Sequence, residues 1–235
     1  MKLKVSLIIA LVAFSIPSHA LKNQLNSHNL KNMRSIDWVK HASNADVEPN
    51  VLYAIALKES GKLYNNKFLP SEYAIGIGVD KSIGQMKHVS LYPKDKAEAK
   101  AVLTQLISTG YKNIGIGMMQ ISWIYHNDKV KSALDLLDID VNLEVAGKIL
   151  KGCKKRNKTS LGTLSCYSYG EGDDPNGLIY ADEAIGYANT YGTTFLSQLI
   201  PKGPPVGELN ETFLASYWRN IEAKTIQSDK KKGEL

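Results

Sequence analysis

The sequence predicts a mainly α (α+β) fold, one helical domain carrying a small β-hairpin insertion. Three observations predict it. Val51–Leu57 is an apolar run flanked by Pro49 and Gly61, and its apolar positions go nearly all the way round a helix, as in a buried core helix. Later segments repeat apolar residues at i, i+3, i+4 and i+7, as in Ala99, Val102, Leu103, Leu106 and Ile107. A single stretch, Tyr73–Tyr92, alternates two short apolar runs with a polar, Gly-containing turn.

In chain order, residues 1–20 read as a secretory signal peptide. Lys2 and Lys4 precede the apolar run Val5–Phe14, and Ser18-His19-Ala20 is a small-residue cleavage site. The expected mature product is exported to the periplasm or beyond, with no transmembrane segment. Residues 21–200 are assigned to the domain and 201–235 to a Pro-containing linker, a short helix and a Lys-rich tail. Ser35 is the expected cap of a helix through Trp38 to about Ala45. Pro49 opens the core helix at its first turn, where a missing N–H is harmless, and Gly61 is its expected stop. After the hairpin come helices at about Lys94–Thr109, Asn142–Lys155 with a stripe of Leu143, Ala146, Leu150 and Cys153, Ser160–Tyr169, and Tyr180–Leu199. Gly186 and Gly192 weaken the last of these. Pro201, Pro204 and Pro205 mark the linker, and Glu208–Ile226 has an amphipathic pattern using Leu214, Tyr217, Trp218 and Ile221.

The formal charge of +6 falls to +4 once Lys2 and Lys4 are removed. That excess is modest. In an exported protein the polyanions within reach are wall polymers and lipid head groups, so no nucleic-acid partner is expected. Cys153 and Cys166 lie in an oxidising compartment on that view, on either side of the Asn157–Ser160 turn. An antiparallel helical pair would bring them level as a disulfide; two buried thiols are the other arrangement. The five histidines are scattered, and no Cys/His spacing suits a metal, so no metal and no organic cofactor is expected.

The chemistry centres on Glu59, which the core helix delivers to its own C-terminal end. Desolvation and the negative end of the helix dipole both disfavour the ionised carboxylate there, which raises its pKa towards the range a general acid needs. A surface Glu in the last turn is the plain alternative. A second feature is Asn113–Ser122, with Gly115, Gly117 and Gln120. Two glycines two apart suggest a nucleotide loop, but the third Gly and the strand–loop–helix context are missing. Backbone opened by Gly115 and Gly117 to close approach of a ligand, with the Gln120 amide offering donor and acceptor, fits better.

Taken together, these residues carry a resemblance. Leu52-Tyr53-Ala54-Ile55-Ala56 leading to Glu59-Ser60, then Gly117-Met118-Met119-Gln120-Ile121, then Asn142, Gly147 and Leu150, then Tyr167, then Glu183 with Tyr187-Ala188, occur in that order. The series resembles the lytic transglycosylases of the soluble-lytic type, which have a goose-lysozyme-like helical fold and cleave peptidoglycan. It covers roughly Ser35 to Leu199. The spacing between the first two motifs is similar to that of longer members serving type IV secretion, conjugation or pilus machines.

The resemblance implies Glu59 as the catalytic acid/base. It implies Ser60 on the substrate's N-acetyl group or on the carboxyl. Gly117, Met119 and Gln120 would form the sugar-binding wall, Tyr167 would be the motif tyrosine, and Tyr187 would stand beside the carboxyl. The family's Ala-Tyr-Asn-Ala-Gly reads here Cys166-Tyr167-Ser168-Tyr169-Gly170, so Ser168 stands where an Asn is usual. Glycosidic cleavage normally uses two carboxylates. Glu72, Asp80 and Glu183 are the candidates for a second, with nothing in the sequence placing them opposite Glu59. The implied reaction needs one: Glu59 cuts the bond between N-acetylmuramic acid and N-acetylglucosamine and leaves a 1,6-anhydro end. The implied partners are peptidoglycan glycan strands and a secretion, conjugation or pilus complex. The alternatives are a hydrolytic muramidase on the same fold, a non-catalytic murein-binding assembly protein, and an antibacterial toxin.

Overall fold

The protein is described by a computed structural model, covering residues 33, 35–64, 67–78, 88–192 and 194. The signal peptide, the Pro-containing linker, the amphipathic segment 208–226 and the Lys-rich tail lie outside the described residues. The fold is mainly helical with small antiparallel sheets.

Helix α1 (Trp38–Ala45) is followed by α2 (Pro49–Ser60), the central helix. Its residues Leu52–Leu57 are all buried, because α1, a later helix, a terminal turn and a strand pack on different sides of it. An apolar run with no polar face can be satisfied only in this position. On the α1 side the rings of Trp38 and Tyr53 meet edge to face at 5.1 Å between centroids. The α1 cap is Asp37, whose carboxylate accepts from the Lys40 N–H at 2.9 Å, and not Ser35 as the sequence suggests.

Gly61 ends α2 in an extended conformation (φ −58°, ψ 134°) and leads directly into a strand. Its lack of a side chain serves close packing: a Cβ there would overlap the Leu57 carbonyl and the Phe68 ring. The strand, β1 (Gly61–Tyr64), pairs antiparallel with β2 (Lys67–Pro70). The expected hairpin is formed by β3 (Ile75–Gly78) and β4 (His88–Leu91), with Ile75 opposite Leu91 and Gly78 opposite His88. Helix α3 (Lys96–Ser108), capped by Asp95, buries Ala99 and Leu103, whereas Val102, Leu106 and Ile107 are only half-buried. Two further strands, β5 (Ile114–Ile116) and β6 (Ile121–Ser122), complete a four-stranded sheet of order β4-β3-β5-β6.

A single helical turn, α4 (Trp123–His126), leaves this sheet, and two short 3₁₀ segments lead to α5 (Ile139–Arg156). Leu143, Ala146, Leu150 and Cys153 form the buried stripe of α5 that the periodicity predicts. Gly147 lies where a Cβ would press on Ala45 at 3.3 Å, so α1 and α5 approach closely through small residues. Helix α6 (Ser160–Tyr169) is capped by Thr159, one residue ahead of the expected Ser160. Helix α7 (Pro175–Tyr187) begins five residues before the expected start, with Asp174 as cap and Pro175 in its first turn. A π-type turn over Ala188–Gly192 follows it. The α6–α7 contact is tight at Gly177, where a Cβ would overlap the Ser165 hydroxyl. Cys153 of α5 and Cys166 of α6 are joined by a disulfide, with Cα atoms 5.6 Å apart. Among the described residues no helix is long and apolar enough to cross a membrane.

Candidate active site

The last turn of α2 carries Lys58, Glu59 and Ser60 in three different directions. Ser60 turns inward and is buried; its hydroxyl donates to the Ala56 carbonyl (2.9 Å) and accepts from the Ser71 N–H (3.2 Å). The role expected for Ser60 on substrate is therefore corrected: its hydroxyl ties the end of α2 to the chain after β2. Lys58 turns outward to an ion pair with Glu183, and its ammonium stands 5.5 Å from the centre of the Tyr180 ring.

Glu59 opens into a small cleft of about 80 Å³ lined also by Gln120, Ile121, Ser122, His126, Ile149, Tyr167 and Ser168. The Tyr180 hydroxyl donates to Glu59 Oε1 at 2.6 Å. Burial raises the Glu59 pKa, against the smaller lowering effects of the Tyr180 hydrogen bond and the Lys58 charge, and the result is about 7. Burial also pushes the hydroxyls of Tyr167 and Tyr180 well up, with the neighbouring Glu59 charge adding to it, so both remain neutral donors.

The sequence does not single out Tyr180; the resemblance points to Tyr187 in its place. Tyr187 lies two turns further along α7 and packs instead on Phe68 and Tyr191, with centroids at 6.0 and 5.5 Å. The two tyrosines are seven residues apart, so they share a helix face but are separated by about 10 Å along the axis. Periodicity finds the face and does not say which turn is level with Glu59.

The glycine-rich turn is also corrected. Gly117 (φ +76°) is buried, and a Cβ there would meet the Asn142 amide and the Leu136 carbonyl, not a ligand. Asn142 is a fully bonded buried amide, donating to the Ile116 (2.9 Å) and Leu136 (3.0 Å) carbonyls and accepting from the Met119 N–H (2.8 Å). The Met119 side chain is buried in the core and does not form cleft wall; its carbonyl accepts from the Tyr167 hydroxyl at 2.8 Å. Gln120 does line the cleft, in the left-handed region at φ +46°. Its amide nitrogen is committed to the Ala74 (3.0 Å) and Gly117 (2.8 Å) carbonyls, so the expected donor to substrate is already used. Gly76 and Gly115 leave room for its Oε1, which a Cβ on either would overlap or crowd, so Gly115 also serves internal packing.

Of the candidates for a second carboxylate, Glu183 is held by Lys58, and Glu72 is buried beside Tyr73, with which it hydrogen-bonds. Asp80 lies outside the described residues. Among the described residues Glu59 is the one carboxylate lining the cleft, and no group of three or more His, Cys, Asp and Glu side chains is placed to hold a metal ion. The arrangement can hold a proton on a desolvated carboxyl near neutral pH and offer it to a bound group. No family model, curated protein or solved structure matches the chain.

Proposed function

We propose that this protein is a peptidoglycan lytic transglycosylase with a goose-lysozyme-like domain. The observation that carries the reading is Glu59, the lone cleft carboxylate among the described residues, whose pKa is raised to about 7 by burial. A group used as acid and then as base works best with a pKa near the working pH. The order of motifs from Leu52 to Ala188, the helical architecture and the cleft between Glu59 and the Gln120–Ser122 wall support it.

In this mechanism the Glu59 proton passes to the glycosidic oxygen as the C1–O bond of N-acetylmuramic acid breaks, releasing N-acetylglucosamine. The substrate's acetamido oxygen stabilises the positive charge at C1. Ionised Glu59 then takes the proton of the C6 hydroxyl as that oxygen bonds to C1, closing the 1,6-anhydro ring and regenerating the acid. No water is consumed, which is why one carboxylate suffices. Tyr180 holds Glu59 in position and, as a donor to Oε1, stabilises its ionised state between the two proton transfers. The wall is the substrate, an envelope compartment the site of action, and a secretion, conjugation or pilus machine the partner that local wall opening would serve.

Digestion of purified sacculi followed by mass spectrometry tests the proposal. Products lighter by one water than reducing-end muropeptides are expected, and Glu59→Gln should abolish them. Reducing ends alone would assign a muramidase; undigested sacculi would reject the enzyme reading.

A further inference from the structure

The geometry assigns His126 as a substrate-binding residue of the Glu59 cleft, one that hydrogen-bonds a hydroxyl or acetamido group of the bound sugar. The assignment rests on the sugar-site reading above and adds a residue that neither the motifs nor the resemblance contains.

Three of the six polar side chains that line this cleft are already at least partly engaged. One Glu59 oxygen is taken by Tyr180, the Gln120 amide nitrogen by two backbone carbonyls, and the Tyr167 hydroxyl by the Met119 carbonyl. His126 is different: its Nδ1 is buried and has no hydrogen-bond partner among the described residues. Leaving a buried polar atom unpaired is costly, and His126 Nδ1 is the one such atom that lies in the cleft lining among the described residues. As the ring stands Nδ1 is closed to solvent, so it meets a ligand only once the ring turns.

Local structure places the ring there. Helix α4 starts straight after Ser122, whose side chain makes no cap bond, so Ser122 and His126 fall four residues apart on one side of a single turn. Both line the cleft that Glu59 enters. Rotation about the ring's own axis is broadly two-fold for histidine, so a half-turn exchanges Nδ1 with Cδ2 and changes which edge faces a ligand.

The ring also has the right charge for a neutral sugar. Burial lowers its pKa, Lys129 lowers it further, and Asp128, itself paired with Lys129 at 3.2 Å, opposes them. A neutral imidazole carries one N–H donor and one lone-pair acceptor, which suits a hydroxyl or an amide better than an anion.

The test uses Glu59→Gln protein, which binds without cleaving, and a murein tetrasaccharide of alternating N-acetylglucosamine and N-acetylmuramic acid as probe. Binding should shift the His126 ring nitrogen signals in NMR. His126→Leu should weaken calorimetric affinity about tenfold, the equivalent of one hydrogen bond. His126→Gln, which keeps a donor and an acceptor, should stay within about threefold of the parent. A tetrasaccharide that binds without moving the His126 signals, or that binds the Leu variant as tightly as the parent, overturns the assignment and leaves the sugar site standing. A tetrasaccharide that does not bind, with sacculi left intact by the wild-type protein, rejects the sugar site and His126 with it.

Discussion

Glu59 is a residue whose proposed function and whose contribution to stability pull in opposite directions. Its folded-state pKa, about 7, lies above that of an unfolded-chain glutamate, so the folded state binds its proton more tightly. Stability therefore falls as pH rises through the window between the ordinary glutamate value and about 7, and is flat above it. Glu59→Gln removes the penalty. The variant should melt higher than wild type at pH 8, by an amount on the order of 1–3 kcal/mol, and the difference should vanish towards pH 4; thermal unfolding across that range checks it. The same variant should lose murein digestion by several orders of magnitude. Tyr180→Phe removes the hydrogen bond that holds the Glu59 pKa down. The basic limb of its pH–rate profile should move to higher pH, with Tyr187→Phe as the unshifted control. A buried helix ending in a carboxylate was legible in the sequence. The tyrosine that meets it was not, because two tyrosines share one face of α7 and only the depth of packing against α2 selects between them.

At the scale of elements, the turn between β5 and β6 is where sequence and structure part most. Gly117 and Gln120 stand out in the sequence and suggest a surface made for a ligand. In the fold they make a turn that is strained at Gln120 (φ +46°) and held by its own amide and by Asn142. The residues that do form cleft wall with Gln120 are its unremarkable neighbours Ile121, Ser122 and His126. Glycine spacing in a sequence reports that something comes close, without saying whether it is a ligand or another part of the chain. Asn142 fits in because Asp138 caps α5 a full turn before the Asn. Asn142→Asp would set a carboxylate against the Ile116 and Leu136 carbonyls and lose both donors. We expect a cost of at least about 3 kcal/mol, seen as a melting temperature lower by roughly 6–12 °C in a chain of this size. Activity should fall too, since Met119 and Tyr167 hang from the same turn.

Across the whole molecule, helices close on one another where small residues let them touch: Ala45 on Gly147, and Ser165 on Gly177. The helical stripe of α5 and the short turn to α6 made the Cys153–Cys166 pairing foreseeable, whereas the guanidinium of Arg156, 3.0 Å from Cys166 Sγ, was not. A sulfur contact three residues from Cys153 and ten from Cys166 leaves no periodic trace. The disulfide joins positions 13 apart, so the chain-entropy account assigns it about 3 kcal/mol. Cys166 immediately precedes Tyr167, whose hydroxyl fixes the Met119 carbonyl at the cleft, so the tie acts next to the site. Replacing both cysteines with serine should lower the melting temperature by roughly 6–12 °C. Added dithiol should lower that of the wild type to the same point and leave the variant unmoved. Well below the transition, digestion by the variant should stay within a few-fold of wild type, because Glu59 is positioned by α2 and Tyr180, on elements the disulfide does not join. An equal loss of rate and stability would instead mean that Tyr167, held by Cys166, sets the geometry of the carboxyl.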